Sequence, residues 1–169
     1  DTELTERPPD APRAGGGPPA PAPPRPAAPP PPPPRPPDRV GAILLIETLN
    51  KPESPLYPLV SAPAGVEVVD KVNEATGLGN AKFLLDLYHL AMNDEDLSEV
   101  IEKYAAKTGH VQIADKPGRG APGTGELPLE ELLDQLKKAG YAGYVGLEYK
   151  AADAAASFAW LPAEARAAQ

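Results

Sequence analysis

Short runs of continuous apolar residues alternate along this chain with longer stretches in which apolar residues recur every three or four positions. AILLIE (42–47), AKFLLD (81–86), GHVQIA (109–114) and GYVGLE (143–148) are runs of the first kind, each short enough for a strand. Between them, Ala64, Val68, Val69 and Val72 predict a helix over 61–76. Leu97, Val100, Ile101 and Tyr104 predict a second over 94–107, and Leu129, Leu132, Leu133 and Leu136 a third over 128–139. A fourth helix is expected within Ala152–Ala168, with Phe158, Trp160 and Leu161 as its apolar contacts. Continuous apolar strands separated by amphipathic helices predict an α/β fold whose parallel sheet is covered by its helices.

Each strand also ends on a polar residue. Glu47, Asp86, Gln112 and Glu148 stand at or near the four C-terminal ends, and each offers an oxygen to a hard cation. In a parallel (β/α) barrel the functional groups come from the C-terminal ends of several strands and converge over the mouth. A single such residue is as readily an ordinary strand end as a functional group, whereas four in succession point to a shared site. The competing arrangement is an open doubly wound sheet. That fold would normally carry a glycine-rich phosphate loop after its first strand, and ETLNKPESP is not one.

Composition divides the chain. Seventeen of its 25 prolines precede Asp38, in a tract that includes PPAPAPPRPAAPPPPPPRPP. With almost no aliphatic or aromatic residues, that tract cannot offset its ordering entropy, and residues 1–38 are expected to be disordered with polyproline II character. Residues 39–169 form the globular part. Acids and arginines cancel before Val40, so the whole net charge of −8 falls on residues 40–169. An acidic domain without a basic stripe argues against nucleic acid and anionic membranes as partners. Zero cysteines exclude disulfides and thiolate chemistry. There is no membrane-spanning run and no signal peptide at the acidic start, so a cytoplasmic location is expected.

LLIExLN, DLYH, GHVQIAD, PGRGxPGTGE and GLEYK occur in this order from Asp38 to Leu161. Together they resemble the second half of the hydroxypyruvate isomerase family, within the xylose isomerase-like TIM-barrel superfamily. The resemblance implies the C-terminal half of a TIM barrel, four βα units, and a divalent metal held by Glu47, Asp86, Gln112 and Glu148. Glu47 and Glu148 also match the family's acid/base pair, and His89 and Arg119 match residues that contact substrate oxygens in related sugar epimerases. The implied reaction converts hydroxypyruvate into tartronate semialdehyde through an enediolate. Such a reaction needs electrostatic stabilisation of the developing oxyanion and a carboxylate to move the proton. Three carboxylates and an amide favour Mg²⁺ or Mn²⁺ over zinc. They exceed one dication by about one charge, so Arg119 is expected to hold the carboxylate of an anionic substrate and His89 an oxygen near the reacting carbons.

Other polar residues have plainer readings. His110, two before Gln112 on one strand, shares its face; it is either a functional neighbour of the metal ligands or a hydrogen-bonding barrel histidine. Asp115 is either a carboxylate that supports the site from behind its ligands or a loop residue, and Glu126 either an acid with the same supporting role or a neighbour of the helix start. GRGAPGTGE is a loop by its punctuation and the carrier of Arg119 by the resemblance. Lys150 is expected to be solvated, and Phe158 and Trp160 to pack.

Two departures from the family stand out. Ala121 replaces the glutamate that usually precedes PGTGE, and no residues correspond to the first four βα units of a barrel that takes about 250 residues. The lysine-free Pro/Ala/Gly/Arg tract has the composition of GC-rich coding sequence read out of frame. The expectation is a frameshifted or truncated gene product, inactive or self-associating to cover its open half barrel. The alternatives are a ketose 3-epimerase-like sugar enzyme, a non-catalytic fragment, or a Pro-rich interaction protein that binds SH3- or WW-type domains through PxxP. A histidine-rich metal endonuclease is disfavoured by the two histidines and the net charge of −8.

Overall fold

A computed structural model describes residues 41–153 and 156–162. The Pro-rich segment 1–38 and, of the expected fourth helix, residues 154–155 and 163–168 lie outside these residues. The described chain runs β1 (Leu44–Glu47), α1 (Ala62–Thr76), β2 (Ala81–Asp86), α2 (Leu87–Met92), α3 (Leu97–Tyr104), β3 (Thr108–Ile113), α4 (Leu129–Lys138) and β4 (Val145–Leu147). The strands form one parallel sheet in the order β1-β2-β3-β4. The four expected strands and first three helices are present: β2 has its expected bounds, β3 begins and ends one residue early, and the others are shorter. The unforeseen element is α2, a short helix begun by the last residue of β2. The described part of the expected fourth helix is instead a 3₁₀ turn at Ala156–Phe158. Trp160 packs against the core as expected, whereas Phe158 is exposed. No helix among the described residues is long and apolar enough to cross a membrane.

Local chemistry starts and stops the helices. Ser61 caps α1 through a bond accepted from the Ala64 N–H, and Gly77 ends the helix in the left-handed conformation (φ 67°). Asp96 caps α3 by accepting from Ser98 and Glu99. Helix α4 lacks a side-chain cap but has Glu130 and Glu131 in its first turn and Lys137 and Lys138 in its last, which complement the helix dipole.

The two faces of the sheet differ. Ala81, Phe83 and Leu85 of β2 and Val111 and Ile113 of β3 are buried beneath the helices, against Val66, Val69, Leu90, Ile101, Leu132 and Leu136. On the other face Leu45, Lys82, Leu84, His110 and Gln112 are only half-buried. Register assigns the site residues to this second face. Glu47 lies opposite Leu84, Asp86 opposite Gln112 and Gln112 opposite Gly146. Paired residues share a face, as do residues two apart on one strand. The pairing of β3 slips by one residue between Phe83 and Leu84: Phe83 pairs with Thr108, Leu84 with His110. Gly109 is the residue passed over. A Cβ there would come within 2.6 Å of Lys82 Cβ and 3.0 Å of Leu45 Cδ2, so the close approach requires glycine.

The asymmetry can be tested by paired truncation. Leu85→Ala, on the covered face, is expected to cost about 2–5 kcal/mol in urea unfolding, and Leu84→Ala clearly less. Equal losses would mean that a second copy of the chain or another segment covers the inner face.

Candidate functional site

Three carboxylates and a histidine meet where the strands end. One ligating atom from each of Glu47, Asp86, His89 and Glu148 lies within 4.8 Å of the others. Asp86 links strand to helix: its Oδ1 accepts from the N–H groups of Tyr88 (2.8 Å) and His89 (3.1 Å), capping α2. Its Oδ2 faces the cluster, 3.7 Å from His89 Nε2, and Glu47 Oε1 lies 3.9 Å from the same nitrogen. Burial pushes Asp86 up to about 7, with further upward contributions from Glu148 and Glu47 against the opposing pull of the His89 amide. Burial likewise raises Glu47, aided by Glu148 and opposed by Arg119. His89 moves downward through burial and the Arg119 charge, which favours the neutral ring.

Gln112 sits beside Asp86 in register, and its Oε1 is buried with no hydrogen-bond partner. A buried carbonyl oxygen left unpaired costs about 1–3 kcal/mol, so it calls for a partner. A hard cation among the neighbouring carboxylates would be one. The donor set thus fits a divalent metal of the oxygen-preferring kind.

Arg119 supplies the countercharge. Its guanidinium lies 2.7 Å from Glu148 Oε2, 3.7 Å from Glu53 Oε2 and 4.0 Å from Asp86 Oδ2, and its Cζ is 5.2 Å from the centre of the Tyr88 ring. Its Nε donates to the Glu148 carbonyl, while its own carbonyl accepts from Lys150 N–H at 2.8 Å. Arg119 occupies the left-handed region (φ 58°), which a non-glycine residue adopts at a cost when its surroundings enforce it.

The sequence matches the xylose isomerase-like TIM barrel family across residues 37–167. The chain belongs to that family. It is 76% identical over 134 residues to a Streptomyces coelicolor protein assigned provisionally as hydroxypyruvate isomerase, covering 78% of this chain and 48% of that one. It is 37% identical over 108 residues to Escherichia coli hydroxypyruvate isomerase, covering 64% of this chain and 40% of the relative. Among solved structures it resembles AP endonuclease, family 2, from Brucella melitensis, with TM-score 0.65, 39% identity, and coverage of 71% and 45% of the two chains. The chain spans about half the length of the curated relatives it matches.

Of the residues expected at this family site, Glu47, Asp86, His89, Arg119 and Glu148 come together, with Gln112 adjoining Asp86. His110 lies on the same face as Gln112, with Nε2 2.8 Å from where a Gly146 Cβ would stand, and its ring has no hydrogen-bond partner among the described residues. Asp115 and Glu126, each open to two readings in the sequence, follow the plainer one. Asp115 is fully buried, and its carboxylate accepts from the N–H groups of Lys116 (2.9 Å), Gly123 (2.9 Å), Gly125 (2.9 Å) and Leu127 (3.0 Å). Those bonds use it to hold the loop that carries Arg119. Glu126 is exposed, and its side chain has no polar partner among the described residues; only its N–H is engaged, with the Lys116 carbonyl at 2.7 Å. Lys150 is exposed, as expected. The periodicity of the chain carried no signal for Asn50, Glu53 and Tyr88, which join the site through contacts 35 and 39 residues apart.

Two outcomes follow from this geometry. Asp115→Asn is expected to cost about 1.5–3 kcal/mol, the range for a hydrogen bond to a charged group, and to speed amide exchange and proteolysis within 116–127 first. Unchanged loop exchange would contradict the anchoring. For Asp86, the folded chain holds a proton between about 4 and about 7 that the unfolded chain has lost. Its contribution therefore weakens the fold as pH rises through that window. Metal-free urea melts at both ends of the window are expected to show less pH dependence in Asp86→Asn than in the wild type.

Proposed function

We propose that this chain carries the metal-binding and proton-transfer half of an isomerase that interconverts hydroxypyruvate and tartronate semialdehyde. The observation that carries the reading is the oxygen set on one sheet face: three clustered carboxylates beside the unpartnered Gln112 Oε1. The names of the relatives supply the substrate. Glu47, Asp86, Gln112 and Glu148 would hold Mg²⁺ or Mn²⁺. Such an ion supplies electrostatic stabilisation for the oxygen charge that develops when a carbon gives up its proton.

The chain's own residues do the rest. One of Glu47 and Glu148 takes a proton from the hydroxyl-bearing carbon, and a proton returns to the former carbonyl carbon. The hydroxyl proton passes to the former carbonyl oxygen, so atoms balance and no oxidant is needed. Arg119 receives the substrate carboxylate, relieving part of its pairing with Glu148. His89 faces an oxygen near the reacting carbons.

A ketose 3-epimerase would use the same metal and both glutamates, but such enzymes usually have a histidine ligand at the position of Gln112. A histidine-rich endonuclease centre is equally unsupported, with one histidine in the cluster. Because the chain spans half of its relatives, the opposite wall of the pocket must come from strands beyond those described, and self-association is one way to supply them.

The test is turnover of hydroxypyruvate by the purified chain with Mn²⁺ in deuterated water, followed by proton NMR. Deuterium is expected at the carbon that gains a proton, with loss of about 10²–10⁴-fold in Glu47→Gln and Glu148→Gln. Metal at 100 times its dissociation constant is expected to add about 2.7 kcal/mol of stability. No turnover and a melt indifferent to Mn²⁺ would instead mean a non-catalytic fragment.

A further inference from the structure

We propose that Asn50 is a positioning residue: it fixes the proton of His89 on Nε2, making His89 a hydrogen-bond donor to the substrate rather than a metal ligand. The inference rests on the isomerase reading only for what that N–H meets.

The buried Asn50 amide has one possible orientation. Its Oδ1 accepts from the Glu53 N–H at 2.8 Å, so the NH₂ group must point the other way. Nδ2 then lies 2.8 Å from Glu53 Oε2 and 2.8 Å from His89 Nδ1, which uses both of its hydrogens. The backbone N–H of Asn50 is directed at the same ring nitrogen, at 3.1 Å. Nδ1 therefore faces donors only and must be an acceptor. A neutral imidazole has one N–H, so the proton is on Nε2, and an imidazolium would set an N–H against two donors.

That assignment separates proximity from ligation. His89 Nε2 is among the clustered atoms, 3.7 Å from Asp86 Oδ2 and 3.9 Å from Glu47 Oε1. A nitrogen that carries a proton in the ring plane has no lone pair to give a cation, whereas Gln112 Oε1 does. His89 Nε2–H instead needs an acceptor, and a substrate oxygen held over the carboxylates is one. Glu53 completes the clamp: it also accepts from the Tyr88 hydroxyl at 2.9 Å and lies 3.7 Å from Arg119, so a single turn orients both substrate-facing groups.

The experiment is long-range proton–nitrogen correlation NMR on the full chain labelled with ¹⁵N-histidine, with His110→Gln to assign the two rings. His89 is expected to show a protonated Nε2 and an unprotonated, hydrogen-bonded Nδ1. Asn50→Asp puts an acceptor where the donor stood, and is expected to move the proton to Nδ1. It should lower kcat on the order of 10–100-fold while leaving the Mn²⁺-induced rise in melting temperature in place. A wild-type ring protonated at Nδ1 would overturn the proposal even if Asn50→Asp does not fold, as would retention of Nε2–H in that variant. The expected tautomer in a chain without turnover would leave Asn50's role standing and refute the isomerase reading.

Discussion

The site depends on one extra residue in β3. Side chains along a strand alternate between faces, so a slip of one position exchanges the faces of everything that follows. Without the slip at Gly109, the pairing of Phe83 with Thr108 would continue to oppose Asp86 to Val111. With it, Asp86 is opposed to Gln112, and Val111 and Ile113 turn to the helix side, where both are fully buried. The same irregularity therefore places an amide oxygen at the mouth and two aliphatic residues in the core. Only glycine allows the close approach to Lys82 and Leu45 that this requires. Hydrophobic burial and the functional set are two consequences of a single register.

On that rigid sheet the polar groups are oriented by backbone bonds. Asp86 divides its carboxylate, one oxygen capping α2 and the other facing the cluster, so that strand end, helix start and site share a single group. Asp115 spends its whole carboxylate on loop N–H groups and thereby brings Arg119 within 2.7 Å of Glu148. The acidic cluster is tolerable because that cation sits among its members and because burial lets Asp86 keep its proton up to about 7. A divalent ion would take over both tasks.

What the sequence disclosed and what it concealed have physical causes. Strands covered by helices read as continuous apolar runs, so β1 to β4 and the polar residues at their ends were legible. Helix α2 was not, because six residues offer too little periodicity and its start lies in the side chain of Asp86 rather than in a separate cap. Asp115 stayed open between site carboxylate and loop residue, because a carboxylate after a strand gives no hint that loop amides ten or more residues later will claim it. Asn50 and Glu53 stood in a proline-rich loop whose meaning comes from His89 and Tyr88, far along the chain. The expected last helix failed over its described part, where Trp160 bonds the Tyr149 hydroxyl at 2.8 Å and a 3₁₀ turn suffices.

With about half the length of the curated relatives it matches, the chain has a covered face and a half-open one, yet the four expected ligands all lie on its strands or directly after one. Metal binding can therefore be judged apart from catalysis. The most direct measurement is anomalous diffraction from crystals of the chain soaked in Mn²⁺. The expected result is one strong peak bonded to oxygens of Glu47, Asp86, Gln112 and Glu148 with His89 outside its coordination shell. No peak at the strand ends, or one in which His89 nitrogen replaces the Gln112 oxygen, would contradict that ligand assignment.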